Sequence, residues 1–133
     1  MVTTFQIQTQ APQTFVEITD KVVEIVRQSG ITSGTCTLFI PHTTAGITIN
    51  ENCDPDVVHD MIHALNGLIP VHGPYRHAEG NSHAHIKASM MGSSVTIPIT
   101  GNALAFGTWQ GIFFTEFDGP RTRKVRVAVQ NDA

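Results

Sequence analysis

Residues 112–130 read I-F-F-T-E-F-D-G-P-R-T-R-K-V-R-V-A-V-Q, two β-branched and aromatic runs around Asp118-Gly119-Pro120. This pattern predicts a strand over 112–117, a tight turn, and a return strand over 123–130. In the return, Val125, Val127 and Val129 share parity with Arg123. Arg123 therefore stands in line with the core face at the strand mouth, placed to aim into a pocket rather than solvent. Glu116 is expected opposite Arg121 and Arg123 across the turn. Arginines beside Gly-rich backbone suit phosphate or carboxylate recognition. The plainer alternative is a hairpin salt bridge, worth little if exposed.

Working outward, Thr4–Thr9 alternates with Phe5 and Ile7 on one side, a half-buried first strand. From Phe15 to Ser29, Ile18, Val22, Ile25 and Val26 recur at helical spacing and Gly30 follows as a stop. Residues 34–41 and 47–49 read as strands. Asp54 is a natural N-cap with Pro55 in the first turn of a helix reaching about Leu68. Val58, Met61, Ile62, Leu65 and Ile69 form its expected buried stripe. A short helix is expected over Ile86–Met91 and a strand over Ser94–Ile99. This order of elements indicates an α+β sandwich with helices outside.

The chain has 133 residues, enough for one domain with a real core. Its net charge of −3, with 8 Lys plus Arg, excludes the basic stripe of a nucleic-acid binder. No apolar run reaches membrane-span length. The first residues have neither the basic start nor the apolar stretch of a signal peptide. Cys36 and Cys53 form no C-x-x-C, and reduced thiols in a cytoplasmic protein are the simplest expectation.

Tyr75–His85, Y-R-H-A-E-G-N-S-H-A-H, gathers three of the seven histidines and has no clean period of 3.6 or 2. Imidazoles collected in such a segment suggest a metal site, whereas a surface loop with scattered histidines is the bland reading. Three ligand sets compete. H-D-M-I-H at 59–63 is similar to a zincin H-E-x-x-H with Asp for Glu, but lies on the polar face of the predicted helix. His83-Ala84-His85, on an extended segment, would put both rings on one side. The third set joins His42, at a strand end, to His77 and His85, leaving an open coordination position.

Three blocks then carry a resemblance: H-T-T-A-G-I-T-I-N-E-N-C-D-P (42–55), residues 75–89, and G-T-W-Q-G-I…E-F-D-G-P-R-T-R (107–123). Together they resemble the YjbQ family, proteins described as secondary thiamine-phosphate synthases. The resemblance covers nearly the whole chain beyond the first strand. It implies one YjbQ-like domain over 1–133, an α+β fold with a β-sandwich of about seven strands and two main helices outside, assembled as a homotrimer with the pocket near a subunit interface. It also implies metal ligands His42, His77 and His85, with Asn50, Trp109, Gln110, Arg121 and Arg123 on the substrate. Thr44 stands where Ser is commoner in the family.

The expected function is a cytoplasmic metal-dependent enzyme acting on a small phosphorylated molecule. The implied synthase reaction joins a thiazole phosphate to a pyrimidine diphosphate and releases pyrophosphate. Three imidazoles suit zinc, while a diphosphate substrate suits magnesium. Glu51 or Glu116 would be the acid/base and Trp109 would stack on a ring. The alternatives are a non-catalytic trimeric binding module and a metal-dependent hydrolase.

Overall fold

The computed structural model describes residues 1–132, so residue 133 of the expected domain lies outside the described residues. The elements are β1 Val2–Gln8, β2 Thr14–Glu17, α1 Thr19–Ser29, β3 Ser33–Phe39, β4 Ala45–Glu51, α2 Pro55–Leu68, α3 Ser82–Met91, β5 Ser94–Thr100, β6 Ala103–Leu104, β7 Gln110–Glu116 and β8 Thr122–Asn131. One sheet has the order β1-β8-β3-β5-β6 and a second the order β2-β7-β4, all pairs antiparallel. The α+β class follows as expected. No helix among the described residues is long and apolar enough to cross a membrane.

The sheets share one core. Leu38, Val125 and Val127 from the first meet Ile47, Ile112 and Phe114 from the second, and α1 adds Val22 and Val26, all fully buried. The parity of β8 is as read: Arg123, Val125, Val127 and Val129 are all buried. The run Ile112-Phe113-Phe114 is apolar throughout because β7 is covered on both faces. Ile112 and Phe114 enter the core, while Phe113 turns to Phe15, ring centroids 6.5 Å apart. On that outer side, Phe117 packs with Leu65 of α2 and with Ala84 and Ala88 of α3. Gly46 admits α3 here, since a Cβ would stand 2.7 Å from Gly92 O.

Four expectations need correction. Phe15–Glu17 does not begin a helix; it pairs with β7 (Phe15↔Thr115, Val16↔Phe114), and α1 starts only at Thr19. Periodicity could not see a partner strand a hundred residues away. The 112–117 and 123–130 strands are not a hairpin either, because β7 and β8 belong to different sheets. Asp118–Pro120, with a cis Gly119-Pro120 bond, is a corner between sheets. The helical stripe of α2 buries only Leu65; Val58, Met61, Ile62 and Ile69 stay half-exposed.

His83-Ala84-His85 is the fourth. The segment is helical, so residues two apart face different ways. His83 is buried and its Nδ1 accepts from the fully buried Lys87 Nζ at 2.9 Å. Nζ also donates to Asn66 Oδ1 on α2 at 2.6 Å. Burial favours the uncharged form of both His83 and Lys87, lowering each pKa. His85 faces outward instead, towards the 75–81 segment.

Candidate functional site

A cleft of about 760 Å³ opens where the two sheets part. Four parts of the chain line it: the 39–44 segment from the end of β3 towards β4, the 77–85 segment ending in α3, Ser93 before β5, and the corner 118–123. They bring His42, His77, His85, Arg121 and Arg123 to one wall system. These are five of the ten residues singled out from sequence.

Arg123 anchors the floor. Its Nε donates to Glu116 Oε1 at 2.8 Å, and Nη2 donates to Glu116 Oε2 and, at 2.8 Å, to Thr44 Oγ1. Glu116 is 0% exposed and also accepts from Thr9 Oγ1 at 2.8 Å and the Asp118 N–H at 3.1 Å. Burial alone would raise its pKa. The hydrogen bonds from Arg123, Thr9 and the Asp118 N–H, with the Arg123 charge, outweigh burial and hold the carboxyl below its ordinary value. Glu116 is therefore an ionised support behind Arg123 and does not line the cleft. The salt bridge expected as the plain alternative exists, but it is buried. Arg123 Nη1 is left without a protein partner among the described residues.

Arg121 is half-exposed, its Nε donating to Asp118 O at 2.7 Å and its Nη2 to Asp118 Oδ2 at 3.1 Å. Asn81 Nδ2 donates to the same Oδ2 at 2.9 Å, while Asn81 Oδ1 is buried with no partner. Thr9, Thr44, Asn81 and Asp118 are the contributors that the sequence reading did not select as site residues. Asp118 looked like a turn residue, and only the folded corner reveals its second use.

Across the cleft, the His77 and His85 rings lie edge to face, centroids 5.5 Å apart. His77 Nε2 is 3.9 Å from Glu79 Oε1. His42 is engaged differently: the Lys124 backbone N–H donates to its Nε2 at 2.9 Å. Burial and the nearby Arg123 charge lower its pKa, with Glu116 pulling the other way. Among the described residues, no three His, Cys, Asp or Glu side chains are gathered closely enough to hold a metal. The donor chemistry of His77 and His85 fits a borderline cation. His42 does not fit, because a ligating imidazole donates from its second nitrogen and this one accepts there.

The remaining candidates stand elsewhere. Glu51 ends β4 opposite Gln110, six residues from Ala45 and so about 20 Å along the strand. Trp109 is 61% exposed, and Gln110 Oε1 accepts from the Gly107 N–H at 2.8 Å. Asn50 Oδ1 accepts from the Glu51 N–H at 2.7 Å. Glu51 borders a smaller cleft of about 230 Å³ with Glu17, Asn52 and Phe113. None of these four side chains lines the cleft that holds the histidines. H-D-M-I-H also lies apart: His59 and His63 stack on the exposed face of α2, centroids 6.4 Å apart.

A family model described as UPF0047 protein YjbQ-like matches residues 3–132. A UPF0047 protein of Methanocaldococcus jannaschii is 48% identical over 128 residues, covering 96% of this chain and 93% of the relative. The UPF0047 protein YugU of Bacillus subtilis is 48% identical over 124 residues, covering 92% and 94%. Among solved structures, an uncharacterised YjbQ/UPF0047 protein of Clostridium acetobutylicum superposes with a TM-score of 0.95 at 53% identity, covering 96% of this chain and 99% of that one. A Sulfolobus solfataricus protein of unknown function gives 0.95 at 32% identity, covering 99% and 97%. The matched span takes in all three motif blocks and, but for Val2 of β1, every strand of both sheets, and the chain belongs to the YjbQ/UPF0047 family.

Proposed function

We propose that the cleft is the active site of an enzyme acting on a small phosphorylated molecule. The observation that carries this is the meeting of Arg121 and Arg123 with three imidazoles in one cleft, from three separate segments. Arg123 is held rigid by Glu116 and Thr44, so its free nitrogen is pre-aimed, and Arg121 adds a second, adaptable donor. The imidazoles of His77 and His85 add ring nitrogens able to donate or accept a proton. The first reaction to assay is the joining of a pyrimidine diphosphate to a thiazole phosphate with release of pyrophosphate, as the family resemblance suggests.

A second reading adds a divalent metal, zinc or magnesium, on His77 and His85. The edge-to-face pairing of those two rings favours it. Pyrophosphate titrated by calorimetry, and turnover measured with metal-replete and chelated protein, test both readings. Micromolar binding with turnover is expected. Binding without turnover would favour a non-catalytic module, and no binding at millimolar concentration would remove the phosphate reading.

The half-exposed stripe of α2 and the exposed Trp109 support a homotrimer, in which a neighbour would cover apolar surface. Light scattering is expected to give three times the chain's 14.4 kDa. A monomer at micromolar concentration would exclude it.

A further inference from the structure

His42 was expected to be a metal ligand, and its hydrogen bonding says otherwise. β3 pairs with β8 as far as Phe39↔Arg126. Carried two residues further, that register would set Pro41 opposite Lys124. β3 ends at Phe39, and beyond it the bond that continues is on the β5 side, where the Ile40 N–H donates to Ser93 O at 2.8 Å. Lys124 is paired with Gln6 of β1 but with no residue of β3, and its N–H is taken by the His42 ring, Nε2 accepting at 2.9 Å. Nε2 must then keep its lone pair. A neutral imidazole has one proton, so that proton sits on Nδ1.

We propose that His42 is a fixed hydrogen-bond donor, presenting Nδ1–H to an anionic oxygen of the cleft's ligand, and is not a metal ligand. To bind a metal through Nδ1 the ring would have to become an imidazolate, and through Nε2 it would have to abandon Lys124. Nδ1 has no protein partner among the described residues, and the ring lines the cleft shared with Arg121 and Arg123. A donor at this point, with the two guanidinium groups, completes a half-circle of donors; of the two carboxylates that line the cleft, Asp118 is paired with Arg121 and Glu79 stands exposed beside His77. Phosphate oxygens are what such a half-circle recognises. The inference rests on the phosphate reading above and adds a specific donor to it.

The bland role, a side chain that merely caps Lys124, is separable. Gln places an amide near the Nε2 position and Asn places one near Nδ1. His42→Gln is expected to keep thermal stability but weaken pyrophosphate binding about tenfold or more, the scale of one hydrogen bond to a charged group. His42→Asn is expected to lose stability and keep most affinity. Both should retain any zinc that the wild-type protein holds. Long-range proton–nitrogen spectra of histidine-labelled wild type should show His42 protonated at Nδ1, with pyrophosphate shifting that nitrogen. An Nε2-protonated ring, a His42→Gln variant with wild-type affinity, or loss of zinc in both variants would each overturn the proposal. If pyrophosphate binds nowhere, the phosphate reading and the donor role fall together, whereas binding unaffected by His42 defeats only the donor role.

Discussion

The two ends of the β2-β7-β4 sheet present opposite chemistry. At one end, where β4 begins and β7 finishes, Glu116, Arg123, Thr44, Thr9 and Asp118 form a closed network, with Glu116 fully buried. At the other, Asn50, Glu51, Trp109 and Gln110 are tied mainly to their own backbone neighbourhood, and Trp109 stands in solvent. Both ends belong to the motif blocks that carry the family resemblance, so sequence gives them equal weight. Their physics differs. The first end is over-determined by long-range contacts and can hold a charge in fixed geometry. The second depends on what covers it, and a neighbouring subunit is the cover proposed above.

Breaking the pair at the buried end is expected to have the largest effect. Glu116→Ala leaves the Arg123 charge buried without its counter-ion, and urea denaturation should show a loss of about 3–5 kcal/mol. The sign with pH is definite. The folded pKa of Glu116 lies below its unfolded value, so the pair's contribution is full above the unfolded value of about 4.3 and fades as pH falls through the folded one. Acid titration of stability should be steeper in the wild type than in Glu116→Gln. Equal slopes would mean that the carboxylate is not held ionised.

At the open end the expected effects are smaller. Asp54 accepts from the Asp56 N–H at 2.9 Å as the N-cap of α2, and Asp54→Ala should cost about 1 kcal/mol in the same assay. Glu51→Ala is expected within about 0.5 kcal/mol of wild type, since no charge partner is removed. A Glu51 effect approaching that of Glu116 would erase the contrast between the two ends.

Sequence made much of this legible, for local reasons. Asp54-Pro55 marks a helix start by cap chemistry alone, and α2 begins there. The parity of Arg123 with three valines placed it inside. What stayed hidden depended on partners remote in the chain. Thr14–Glu17 is a strand only because β7 is beside it, and a tight turn looks like a hairpin unless the sheets are known to separate. In the site, His42, His77, His85, Arg121 and Arg123 do share a cleft. The role of Glu116 needed its burial, and the ring polarity of His42 needed a backbone N–H that no motif encodes. α3 began four residues earlier than expected, which sent His83 and His85 to different sides of the helix.

The position of β8 has a consequence for how the protein is made. The strand latest in the described chain lies between β1 and β3 and is the hydrogen-bonded neighbour of both. A ribosome therefore delivers β1 roughly 120 residues before any partner exists for it, and closing that span is entropically slow. Until Thr122–Asn131 emerges, β1 is an orphan ribbon, and β3 has β5 on one side but an open edge on the other. Such edges invite pairing with other nascent chains. The alternation in β1 of Phe5 and Ile7 with Thr4, Gln6 and Gln8 makes that ribbon only half apolar, which tempers its adhesiveness during the wait.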